Sequence, residues 1–148
     1  MEFPSLQITR ELDRCELDWE TLPSKAHNSL LSQWVGTFGS IYEPHWHTKS
    51  GGKAIVAAAE HLTDRFSVVP CRDPGRANWR AVGVAYQCAG RSLPDLTAAS
   101  HFVDLFISPP DCSWTLLYGH EVDVFGGPVF AMADWGDPPP LERQEKLR

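Results

Sequence analysis

The sequence predicts an α+β domain, with N-terminal helices packed on one face of a mainly antiparallel sheet of four to five strands. Three observations carry this. Helical spacing of apolar residues dominates the first 65 positions, and strand-like segments dominate positions 66–135. The strand-like segments also come in pairs joined by turn residues, the mark of hairpins. A doubly wound parallel sheet needs strands alternating with helices, and the chain lacks that order.

The first helix is expected over residues 9–22, with Leu12, Cys15, Trp19 and Leu22 on one face and Pro23 ending it. The second opens at Ser24 as its cap, carries Leu30, Leu31, Trp34 and Val35 inward, and stops at Gly36. Residues 37–49 read as loop or extended chain, since Pro44 disfavours helix at Glu43. A third helix is expected over residues 51–65, capped by Ser50 and rich in alanine, with Ile55, Ala58, Ala59 and Leu62 buried.

FSVVPC at 66–71 and WRAVGVAYQC at 79–88 form a hairpin around the Asp-Pro-Gly turn in 72–78. The connection at 89–99 has room for a short helix. HFVDLFIS at 101–108 fits two shapes: Phe102 and Phe106 share a helix face, whereas Val103, Leu105 and Ile107 share one side of a strand. Pro109 and Pro110 favour the strand. Residues 112–120 and 128–135 make a second strand pair. The domain is expected to span 1–136, with 137–148 as a polar, proline-rich tail.

A chain of 148 residues fits one domain, and 43% hydrophobic residues with six tryptophans supply a real core. The net charge of −6 argues against a nucleic-acid partner and suits a cationic protein partner. Arg72, Arg76, Arg80 and Arg91 are the one cationic concentration. The longest aliphatic run, AIVAAA at 54–59, is too short to span a bilayer, so no membrane role is expected. The N-terminus lacks the apolar run of a signal peptide, and the four cysteines form no CxxC pair. These features predict reduced thiols in the cytoplasm and no zinc ribbon.

The stretch HWHTKSGGKA at 45–54 raises two chemical readings. A phosphate loop fails, because Ala54 stands where the magnesium-binding hydroxyl belongs and His47 stands where the first glycine belongs. Gly51 and Gly52 leave a weaker anion site at a helix start. In extended chain Glu43, His45 and His47 point one way and Trp46 the other, into the core. Those three could join His61, or His120 and Glu121, around a metal. In YGHEVD, His120, Glu121 and Asp123 have the chemistry of general acids and bases. Cys112 cannot pair with His120, since an extended strand holds them roughly 25 Å apart.

No complete catalytic or metal signature emerges, and no cofactor is implied. The expected function is therefore a small acidic protein-binding module, of the inhibitor or immunity type that neutralises a toxin or enzyme. This is an analogy of size and charge. Its candidate contact residues are Glu43, His45, His47, His120, Glu121 and Asp123. The alternative is a small metal-dependent or acid–base hydrolase using the same His/Glu cluster.

Overall fold

The computed structural model describes residues 3–39, 41, 46–72, 80–119 and 127–136. Along the chain come α1 (Phe3–Arg14), β1 (Asp18–Thr21), α2 (Ser24–Phe38), β2 (Lys49–Ser50) and α3 (Gly52–His61). Then follow β3 (Arg65–Arg72), β4 (Arg80–Ala81), β5 (Tyr86–Ala89), α4 (Thr97–Ser100), β6 (Asp104–Ser108), β7 (Trp114–Tyr118) and β8 (Val129–Met132). A 3-10 turn at Ala133–Gly136 closes the described chain. The strands form one sheet of eight in the order β1-β5-β3-β6-β7-β8-β2, with β4 pairing β3 beside β5. Every pairing is antiparallel, so the protein is α+β.

Two parts of the expected architecture are corrected. Among the described residues the sheet has eight strands rather than four or five, and the helices cover both of its faces rather than one. Side chains alternate across a strand, and here both sets are apolar. Phe66, Val68, Leu105, Ile107, Leu116 and Phe130 pack with α1, α3 and α4. Val69, Phe106, Leu117, Val129 and Ala131 pack with Leu31, Trp34 and Phe38 of α2. All five residues of β7 are buried, which is the signature of a strand covered on both sides.

The first helix ends earlier than its spacing suggested. Ile8 and Leu12 are its buried rungs, and Glu16 at φ 57° turns the chain after Arg14. Trp19, the expected third rung, is a strand residue in β1. Its ring meets Tyr86 edge-on at 5.4 Å, and its Nε1 donates to Asp13 at 2.8 Å. The helical spacing was a coincidence across a turn, and β1 became an edge strand because β5 offered a partner.

The expected caps are also corrected. Ser24 is the first residue of α2, Pro23 occupies the cap, and no side chain caps it. Gly36 lies inside α2, which runs on to Phe38 before Gly39 ends it. A Cβ at Gly36 would meet nothing within 4 Å. Replacing Gly36 with alanine should therefore raise stability by about 0.5–1 kcal/mol, through helix propensity alone. A urea midpoint that falls in Gly36→Ala would contradict this. In α3 the cap is Gly51 rather than Ser50, and the inward residues are Ala54, Ala57 and Ala58. Ala59 is exposed, while Ile55 and Leu62 are half-buried.

One proline explains the broken strand beside β3. A strand residue's N–H and C=O point to the same side. The carbonyl of Pro70 accepts from His27 Nε2 at 3.0 Å, and Pro70 has no N–H to offer a neighbouring strand. Pairing on that side thus splits into β5 opposite Arg65–Val68 and β4 opposite Cys71–Arg72. Gly83, at φ 64°, bends the chain between them. The buried His27 fills the gap and fastens α2 to the sheet.

Candidate functional site

The break beside β3 also shapes the surface. It leaves Val82, Gly83 and Val84 outside the sheet ladder, next to the end of α4. Asp95 starts that helix, accepting from the Thr97 N–H at 3.1 Å and the Thr97 hydroxyl at 2.7 Å. These bonds hold the Asp95 carboxyl below its ordinary range. Leu96 and Ala99 take the inward positions. The turn then closes with the Phe102 N–H on the Ala99 carbonyl at 3.0 Å, and Phe102 is directed outward.

Phe102 is 57% exposed, and nearby Val84 is 37% exposed. They border a hollow of about 400 Å3 that also touches Pro70, Arg72, Val82 and Val103. On its other side Phe102 borders a second hollow, of about 290 Å3, shared with His101 and Asp104. Phe102 therefore stands as a ridge between two depressions, with aliphatic side chains on one flank. Phe102 and Val84 leave apolar surface in water on this face. The nearby hydroxyl of Ser100 is committed to the Thr97 carbonyl at 2.6 Å. The arrangement suits binding by shape and charge.

Of the four arginines grouped in the sequence, Arg91 lies apart from Arg72 and Arg80. Arg91 pairs with Asp64, Nε to Oδ1 at 2.5 Å, and its guanidinium holds that carboxyl below the usual range. Arg76 lies outside the described residues. Arg72 and Arg80 stand directly opposite one another across β3 and β4, and both are exposed.

Of the residues expected to form the site, Glu43, His45, His120, Glu121 and Asp123 lie outside the described residues. Trp46 is 8% exposed and packs against Phe38, while His47 is exposed, in agreement with the expected alternation. β2 and β7 run in the same direction, each antiparallel to β8. The chain before Lys49 thus leads toward one end of the sheet and Tyr118 toward the other. Among the described residues, no three of His, Cys, Asp and Glu gather closely enough to hold a metal ion. His61 donates Nδ1–H to the Ala57 carbonyl at 3.0 Å.

The glycine pair at the start of α3 borders a hollow of about 370 Å3 that also includes Asp95 and Tyr118. A carboxylate there opposes the anion site expected from the sequence.

The thiols are shielded. None of Cys15, Cys71, Cys88 and Cys112 forms a disulfide. Burial pushes the Cys88 thiol up to about 12, and burial with the Asp111 charge pushes Cys112 up to about 11. Burial, followed by the Asp95 charge, raises the Tyr118 hydroxyl to about 12. In each case the folded state keeps a proton that the unfolded chain releases at lower pH. Stability is then full below the unfolded value and falls as pH rises toward the folded one. From neutral pH the urea midpoint should stay level up to roughly pH 8.5 and drop between about 9 and 12, with a shallower drop in Cys88→Ala. Equal slopes for the two proteins would remove Cys88 from the account.

No protein family, curated protein or solved structure matches the chain.

Proposed function

We propose that this chain is a protein-binding module of the inhibitor or immunity type, which docks its partner on the surface around Phe102. The observation behind this reading is the outward aromatic ring beside exposed Val84. Aromatic anchors at the centre of an apolar patch commonly supply most of the affinity at an interface. A partner that covers Phe102 and fills the adjacent hollow removes that surface from water, and no chemical step is needed to neutralise an enzyme by covering it. Four cysteines without a disulfide fit a reducing, cytoplasmic setting, and no described helix is long and apolar enough to cross a membrane.

The test is co-purification from the source cell, comparing the natural chain with Phe102→Ala and reading the recovered proteins by mass spectrometry. A partner should accompany the natural chain and be lost, with affinity falling by about thirtyfold or more, in the variant. Because Phe102 is exposed, the unfolding midpoint should move by no more than about 0.5 kcal/mol. Recovery of the same proteins by both chains would remove Phe102 from the reading.

A further inference from the structure

We propose that the Phe102 surface accepts a protein segment in which an apolar side chain is flanked by carboxylates. This rests on the protein-binding reading above and adds the partner's chemistry. Arg72 and Arg80 form a directly opposed cross-strand pair. Residues so placed share one face, with Cβ atoms about 5 Å apart, and like charges there repel. Among the described residues neither arginine enters an ion pair. Arg72 borders both hollows beside Phe102, which brings one member of the cationic pair next to the aromatic anchor. Asp104 also lines one hollow and carries a single negative charge against the two positive ones.

Two adjacent guanidinium forks suit carboxylates, each able to accept two parallel hydrogen bonds. The rest of the molecule has the opposite sign, for a total of −6. Screening over about 8 Å at physiological salt confines the decision to local charges once a partner is in contact. The expectation of a cationic partner came from the total charge. Arg72 of the cationic pair borders the exposed aromatic, so the charge that meets a partner there is cationic at this point. An acidic segment relieves the Arg72–Arg80 repulsion while its apolar residue enters the hollow beside Phe102.

The probes are three labelled dodecapeptides sharing a central Leu-Phe pair, flanked by Asp and Glu, by Asn and Gln, or by Lys and Arg. Fluorescence anisotropy with the full chain reads their affinities, and a twelve-nucleotide poly-dT strand serves as the phosphate probe. The acidic peptide should bind about tenfold more tightly than the neutral one, and the basic peptide more weakly still. Substituting both Arg72→Gln and Arg80→Gln should erase the difference between acidic and neutral peptides. Phe102→Ala should weaken both by a common factor. Unchanged thermal midpoints keep these effects from being ascribed to unfolding.

Equal binding of the acidic and neutral peptides, each still dependent on Phe102, would overturn the acidic preference and leave the protein-binding reading standing. Acidic binding unaffected by Phe102→Ala would overturn the proposed surface. Tighter binding of the oligonucleotide than of the acidic peptide would assign the arginines to phosphate and sink the proposal. Failure of all three peptides to bind would also overturn it, while co-purification tests the broader reading separately.

Discussion

Replacing Trp34 with alanine should lower the stability of the fold by about 4–5 kcal/mol, the largest loss expected from any single side chain considered above. Trp34 is fully buried and joins α2 to the middle of the sheet. Its ring stacks on Phe106 at 4.7 Å with 19° between planes, and it lies 5.7 Å from Phe38. Its Nε1 donates to the Thr115 hydroxyl at 2.8 Å, which in turn donates to the Ile107 carbonyl at 3.1 Å. Truncation leaves a large cavity and removes a donor from a buried hydroxyl, and these costs add. For a domain stable by about 5–15 kcal/mol, the loss removes a large share of the total and shifts the thermal midpoint by roughly 10–15 °C. Trp34→Phe retains much of the ring contact and should cost less, about 2 kcal/mol. Trp114, on the opposite face, buries an Nε1 with no hydrogen-bond partner, so Trp114→Phe loses ring volume but no bond. Urea titration of the three variants should rank them Trp34→Ala, Trp34→Phe, Trp114→Phe in decreasing damage. A Trp34→Ala loss below about 2 kcal/mol would show that the site collapses around the missing ring.

That position of α2 was only half legible in the sequence. Leu31 and Trp34 could be read as an inward stripe, and both are fully buried. Nothing in the spacing told which face of the sheet the stripe would meet. The information lies in the strands. Leu116 and Leu117 are neighbours, each fully buried and facing opposite ways, so WTLLY needed helices on both sides. Trp19 misled for a different reason. Its separation from Leu12 and Cys15 suits a helix, but the left-handed turn at Glu16 is a property of backbone conformation that apolar periodicity does not report. The proposed surface was legible in part. The cationic concentration around Arg72 and Arg80 stood out against an acidic chain. Phe102 did not, because residues four apart share a face in a helix and in a strand alike, so either reading places Phe102 beside Phe106. Only the fold shows that β6 begins at Asp104, which leaves Phe106 inside and Phe102 outside. The glycine pair in SGGKA was placed at a helix start, where Gly51 caps α3 and Gly52 opens it, but the sequence could not say which glycine was indispensable.

Gly51 and Gly127 answer that, and Gly127→Ala should cost about 3 kcal/mol. Gly127 sits at φ 132°, a conformation that side chains rarely adopt, and a Cβ there would lie 2.6 Å from Gly51 Cα and 3.1 Å from Gly51 N. The obstacle is backbone, which no rotamer change relieves. Gly51 is itself fixed at φ 64° and ψ −136° as the cap of α3, and its N–H donates to the Pro128 carbonyl at 2.9 Å. The two glycines pack against each other where the chain enters α3 and where it enters β8. A methyl at 127 must push these segments apart, straining the two-residue β2–β8 pairing and the first turn of α3 together. Gly52 is the internal control, since a Cβ there meets nothing within 4 Å and its φ lies outside the left-handed range. Gly52→Ala should be neutral or stabilising by up to about 1 kcal/mol. Urea midpoints for the two variants should therefore move in opposite directions or differ by at least about 2 kcal/mol. Faster amide exchange in Gly127→Ala should be concentrated at Gly51, Ala54 and Ile55, whose N–H groups bond within this junction. Equal midpoints for Gly127→Ala and Gly52→Ala would mean that the close approach of the two backbones is not present in solution.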